Sequence, residues 1–295
     1  MDDGRKESVR IPPLSLERDG LQLKVHGLKS TLVTVGLLAG ISEASEENLA
    51  LLDHFLARFK EGGVQIIAVV GGLGTEAADV DGIVRKLATA PVPILLVPGA
   101  EENFDIFRKT IAKYHKQVPQ LVDMTRVRRV QVGRLTLISM PGYRNPYYLS
   151  AKERGCSYTE EDLAKTAALL DEKGPNVLLS PTPPLGKGVH ATDRTRGQIN
   201  IGDPALARIL AEHNVPFGLF GYAYEAAGHA VTVDGAAPVQ SGIWSESLLL
   251  QAGAANAVSM SLTGEGRASG TAQIVSFSAD RARFQTLDAP ARQPW

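Results

Sequence analysis

The stretch Phe217-Gly218-Leu219-Phe220-Gly221-Tyr222-Ala223-Tyr224-Glu225-Ala226-Ala227-Gly228 runs from a short apolar segment into a glycine-opened turn bearing two tyrosines. A segment so short and apolar reads as a strand buried on both faces. The pattern recurs four times upstream. Leu32–Leu38 leads to Gly40-Ile41-Ser42, and Val64–Val70 leads to Gly71-Gly72-Leu73. Ile94–Val97 leads to Pro98-Gly99-Ala100-Glu101, and Val177–Leu179 to Ser180-Pro181-Thr182-Pro183-Pro184.

Helical patterns lie between these strands. Ser45 is placed to cap a helix with apolar spacing through Phe59, which Gly62-Gly63 ends. Further helices are expected over Val80–Leu87, Asn103–His115, Thr159–Glu172 and Pro204–Glu212. Thr159 and Asp162 have capping-box spacing, and Pro204 suits a first helical turn. Leu21–His26 alternates like an edge strand, and Val127–Val132 with Leu135–Met140 reads as a strand pair turning at Gly133. Beyond Gly228 come strands and turns, at Ala230–Val233, Val239, Asn256–Leu262 and Ala272–Ser278. Alternating strands and helices imply one layered α/β domain over residues 21–285. A flexible arm over residues 1–20 and a flexible tail over 286–295 are expected at its ends.

Of 295 residues, 44% are hydrophobic and 21% charged, as in ordinary globular proteins, and the formal net charge is −1. That balance argues against nucleic acid as a partner. The one basic cluster, Arg126, Arg128, Arg129 and Arg134, reads as a solvated edge. The single cysteine, Cys156, rules out an intrachain disulfide and a cysteine zinc site. The polar N-terminus is unlike a signal peptide, and no apolar run has the length of a membrane span, so a cytoplasmic location is expected.

Taken in order, the five turns resemble the signature blocks of the calcineurin-like metallophosphoesterases. In that family the blocks read Asp-x-His, Gly-Asp, Gly-Asn-His, a His before a Thr-Pro-Pro-like turn, and Gly-His-x-His. Glu225-Ala226-Ala227-Gly228 and Gly202-Asp203-Pro204-Ala205-Leu206 resemble the usual continuations, and the likeness extends over residues 30 to 280. The resemblance implies a four-layer sandwich of two facing mixed β-sheets flanked by helices. It also implies that the metal and catalytic positions are held by Gly40, Ser42, Gly72, Ala100, Glu101, Pro181, Tyr222 and Tyr224. A two-metal site needs converging carboxylates and imidazoles, one of them bridging. Gly72, at the bridging position, has no side chain, and tyrosine hydroxyls are poor ligands for ordinary divalent ions. The expectation is therefore a degenerate member with no metal and no cofactor.

Three functions remain. The first is a protein-interaction scaffold or regulatory binding module, with Tyr222 and Tyr224 filling the old metal space and closing the cleft. Glu101 or Ser42 would then receive their hydroxyls. The second is a residual phosphoesterase with a rearranged single-metal site at Glu43, Glu101 and Glu225. The third is a sensor of a small phosphorylated ligand or nucleotide in the old pocket, with charge supplied by Lys187, Arg194 and Arg196. The bland reading of Glu101 and Glu102 is that they open the helix over 103–115, where acids favour the positive dipole end.

Overall fold

The computed structural model describes residues 6–28, 30–115, 117–149, 155–171, 174–258, 260–262 and 268–290. Among them, the strands form a nine-stranded and a six-stranded sheet, both mixed. The smaller sheet is built from β4 (Val33–Leu38), β5 (Ile66–Val70), β6 (Ile94–Val97), β7 (Leu121–Asp123), β14 (Thr271–Phe277) and β15 (Ala282–Asp288), in the order β15-β14-β4-β5-β6-β7. The larger contains β1 (Glu7–Ile11), β2 (Leu14–Asp19), β3 (Gln22–His26), β8 (Arg129–Val132), β9 (Leu135–Ser139), β10 (Asn176–Ser180), β11 (Phe217–Phe220), β12 (Ala230–Val231) and β13 (Leu248–Gln251). Its order is β1-β2-β3-β8-β9-β10-β11-β13-β12.

The apolar period of two decides how the layers stack. Val35, Leu37, Ala68, Val70, Leu95 and Val97 of the small sheet meet Leu137, Val177, Leu179, Phe217 and Leu219 of the large one in a core between the sheets. The alternate residues Leu38, Ile67, Val69 and Leu96 face outward onto α1 (Glu46–Glu61), α2 (Ala77–Leu87) and α3 (Phe104–Tyr114). On the far side, Leu178, Phe220 and Leu249 pack on α4 (Glu160–Ala167) and α5 (Pro204–Glu212). Three cores separate four layers, as the resemblance implied. No helix among the described residues is long and apolar enough to cross a membrane.

The helix caps form as the sequence indicates. Ser45 accepts from Asn48 N, Thr159 and Asp162 complete a capping box, and Pro204 stands in the first turn of α5. Other readings need correction. Residues 7–19, expected in a loose arm, form β1 and β2, paired antiparallel on the edge of the large sheet. Residues 1–5 lie outside the described residues. Residues 286–288, assigned to the tail, belong to β15, and 291–295 are likewise outside the description. β7, β13 and β15 are strands the sequence pattern does not single out. Asn256–Leu262 contains no strand among its described residues, because Asn256 turns inward to donate to Ile41 O. α4 ends at Ala167, five residues before its expected end, and Glu172 is outside the description.

Parallel strands β4, β5 and β6 of one sheet and β10 and β11 of the other are buried along their whole lengths. Their C-terminal ends converge on one rim, the usual place for a site in an α/β fold.

Candidate functional site: a closed rim

The five turns meet at that rim. A Cβ added to Gly72 would stand 2.3 Å from both Cα and N of Gly40, so the first two turns touch backbone to backbone. Ile41 N and Ser42 N both donate to Gly72 O at 2.8 Å. The third and fourth turns join through Pro181, whose Cβ lies 3.1 Å and 3.0 Å from where a Cβ on Gly71 and on Gly99 would stand. The fifth enters through Gly221, where a Cβ would come within 2.1 Å of Val70 O. Only glycine permits these approaches, and Gly40 and Gly72 have φ of 60° and 77° besides.

Of the eight positions that the resemblance assigns to metal binding and catalysis, Gly40, Gly72, Ala100, Pro181, Tyr222 and Tyr224 are buried. Ser42 and Glu101 keep partial exposure at the lip. The Tyr224 ring lies against Gly40, 2.5 Å from where a Cβ would be. Its hydroxyl donates to Glu101 Oε1 at 3.1 Å, and Ser42 Oγ donates to Glu101 Oε2 at 3.0 Å. This closed, hydrogen-bonded arrangement matches the expectation for Tyr224. Tyr222 departs from it. Its φ of 66° takes it out of strand geometry, and its ring still packs 5.9 Å from that of Tyr224. The Tyr222 hydroxyl donates instead to Tyr148 O at 3.1 Å, and its ring packs 4.9 Å from Tyr143 and 6.0 Å from Tyr148. Ala100 belongs to the same small cluster.

Glu102 carries a role that sequence reasoning missed. Neither it nor Glu101 opens α3, because Asn103 is the cap and the helix starts at Phe104. Glu102 is fully buried. It accepts from Leu73 N at 2.8 Å with one oxygen and from Gly99 N at 2.7 Å with the other, clamping the second turn to the third. Burial pushes its carboxyl up to about 7, with the Glu101 charge adding to the rise and the two amides opposing it. Burial also raises Glu101, against the hydrogen bonds from Ser42 and Tyr224. Tyr224 is raised far above the usual phenol range by burial and by the two carboxylates, so it stays a donor.

No family profile and no curated protein matches the chain. Solved structures do. A Thermus thermophilus protein is 15% identical, with a TM-score of 0.56 over 87% of this chain and 99% of its own. A dimetal phosphatase from Danio rerio is 12% identical, with a TM-score of 0.53 over 87% and 98%. GAP50, the anchor in the inner membrane complex of Plasmodium, is 9% identical, with a TM-score of 0.53 over 89% and 86%. The chain has a metallophosphoesterase-like fold. At these identities the likeness concerns the fold alone.

The residues at the rim do not fit the two ions that such a fold holds in a dimetal enzyme. Gly40 and Gly72 occupy each other's space, a phenol ring covers Gly40, and Glu101 is the one carboxylate at the eight positions. Among the described residues no group of three or more His, Cys, Asp or Glu side chains is placed to hold an ion, and Glu43, Glu101 and Glu225 are not grouped in that way. Glu43 is exposed, and Glu225 accepts from Arg196 N at 3.3 Å and Ser261 Oγ at 2.5 Å. Arg194 is held by Asn200 and Gln198, and it borders a separate cleft with Arg196 and Glu225. Lys187 lies apart, beside the Gly235 turn. Arg194 and Arg196 thus line that cleft together with Glu225, which follows Tyr224 in the chain, and Lys187 does not.

Tyr224→Phe isolates the phenol–carboxylate bond. The ring remains and the half-buried Glu101 loses a donor, so the variant should be less stable by about 1–2 kcal/mol. Unchanged denaturant midpoints would show that the bond contributes nothing.

Proposed function

We propose that the chain is a non-catalytic metallophosphoesterase-fold protein that works by binding another protein in the cytoplasm through its outer surface. The observation that carries this reading is the Tyr224 ring seated on Gly40 and anchored to Glu101, over two turns in backbone contact. A closed rim supplies neither metal ligands nor an open phosphate pocket, which leaves the exterior for recognition. The exterior supports this. Leu185, Val189 and Ile199 are 42%, 67% and 58% exposed on one segment, more than isolated surface aliphatics require. Leu262, also exposed, adjoins the Ser261–Glu225 bond that links to this segment at Arg196.

Protein purified without chelator should contain no stoichiometric Mn, Fe or Zn. Hydrolysis of p-nitrophenyl phosphate and bis(p-nitrophenyl) phosphate should stay at background with added Mn²⁺. Stoichiometric metal, or activity that disappears in Glu101→Ala, would overturn the proposal and favour an enzyme.

A further inference from the structure

The two sheets leave one side of the sandwich open. The large sheet ends in β1–β3, the small one ends in the three-residue β7, and α3 borders the gap between them. A cavity of about 450 Å³ enters there, within the range of sites that hold small organic ligands. Its floor is Leu16, Leu23, Ile111, Leu121, Val122 and Val127. These residues belong partly to the core between the sheets and partly to the core under the helices, so the cavity reaches the seam where the two meet. Among the described residues, no aromatic ring other than the His115 imidazole lines it. Such a wall suits a flexible aliphatic chain better than a flat ring, which stacking would grip.

The mouth is charged. Arg18, Arg108, Lys109 and Arg126 stand around it with Glu7, Asp105 and Asp123. Asp123 Oδ1 is already engaged, accepting from Thr125 N at 2.9 Å and Thr125 Oγ1 at 2.6 Å. Arg108, Lys109 and Arg126 form no ion pair with another described residue. Their neighbours in the basic cluster are committed. Arg128 donates to Ser139 and Thr166, and Arg129 pairs with Asp171. Arg108 lies over the Phe104 ring at 5.6 Å, and Lys109 and Arg126 over an aliphatic floor match an acyl chain ending in a carboxylate, which a guanidinium binds with directed hydrogen bonds.

We infer that this cavity is a binding site for a single-chain amphiphile with an anionic head, of the fatty-acid class. The chain lies on the floor between the sheet edges, and the carboxylate meets Lys109 and Arg126. None of the eight rim positions lines the cavity, so the site is independent of the former metal cleft.

The test is calorimetric titration of the full chain with dodecanoate, dodecanol and dodecyltrimethylammonium, each below its micellar range. Dodecanoate should bind saturably at one site, about tenfold or more tighter than dodecanol, and weaken with salt, while the cation should not bind. Lys109→Glu with Arg126→Glu should weaken dodecanoate about tenfold or more and leave dodecanol unchanged. Ala112→Trp, on the exposed wall of α3, should block both. Non-saturable uptake, equal affinity for all three amphiphiles, or dodecanoate binding indifferent to Ala112→Trp would overturn the inference. The wild-type ligand series decides the matter even if a variant is unstable.

Discussion

Gly72→Asp, which places a carboxylate at the position that the family resemblance assigns to a bridging ligand, is expected to unfold the rim and not to build a site. The new Cβ would sit 2.3 Å from two backbone atoms of Gly40, which cannot swing away as a side chain can. Separating the turns would break the paired hydrogen bonds to Gly72 O and lift Gly40 against the Tyr224 ring. Left-handed strain at φ 77° adds to the overpacking, for a total of about 4 kcal/mol or more. The melting temperature should fall by roughly 10 °C. Gly72→Ala should cost nearly as much, since crowding and not charge is the cause. Gly63→Ala is the control, because Gly63 has φ 67° but open space around its Cβ, and about 1 kcal/mol is expected. If Gly72→Asp melts with the Gly63 control, the close contact of the first two turns is wrong.

Stability should fall as pH rises from about 4.5 to about 7, and Glu102 should be the main cause. Its carboxyl is raised in the folded state, so the native protein holds a proton that the unfolded chain releases above about 4.5. The favourable difference is present at acid pH and is lost progressively until the folded group ionises near 7. Across that window the loss is about 3 kcal/mol. Glu101 acts in the same direction. His229, lowered by burial, acts in the opposite one, because acid forces a charge on it. Glu102→Gln separates these contributions. Its amide can accept from only one of Leu73 N and Gly99 N, so the variant should start about 1–3 kcal/mol lower at pH 5. It should lack the Glu102 part of the slope. Parallel wild-type and variant curves between pH 5 and 7 would exclude Glu102 as the titrating group.

The rim is legible in the sequence because glycines and apolar strands announce themselves locally. Five strand-then-turn segments in order are enough to name a fold, and all five strands lie within a residue or two of their expected bounds. Tyr224 can be aimed at Glu101 because both stand at positions with a known spatial relation. The strands that escape notice have physical reasons. β13 reads as Leu248–Gln251, four residues with no turn signal of its own, and it is recognised only by its partners β11 and β12. β1 and β2 are half-exposed and polar, and β1 has charged residues at two of five positions. Glu102 is easily misread because an acid before a helix is ordinarily a dipole partner. The signal is Asn103, a better cap than either glutamate, which frees the acid before it to turn inward.

The small sheet also sets an order of events during synthesis. β4, buried at all six residues, lies between β5 and β14, with Gln273 opposite Leu37 and Phe277 opposite Val33. β5 leaves the ribosome soon after β4, but β14 follows only after roughly two hundred further residues. At ordinary elongation rates that is an interval on the order of tens of seconds. Through it the nascent chain carries an apolar strand with one unpaired edge, the kind of edge that recruits other chains. A long-range closure of this sort is also slow to form. Chaperone occupancy of early intermediates should therefore end when Thr271–Phe277 emerges, and chains stopped short of it should accumulate as aggregates.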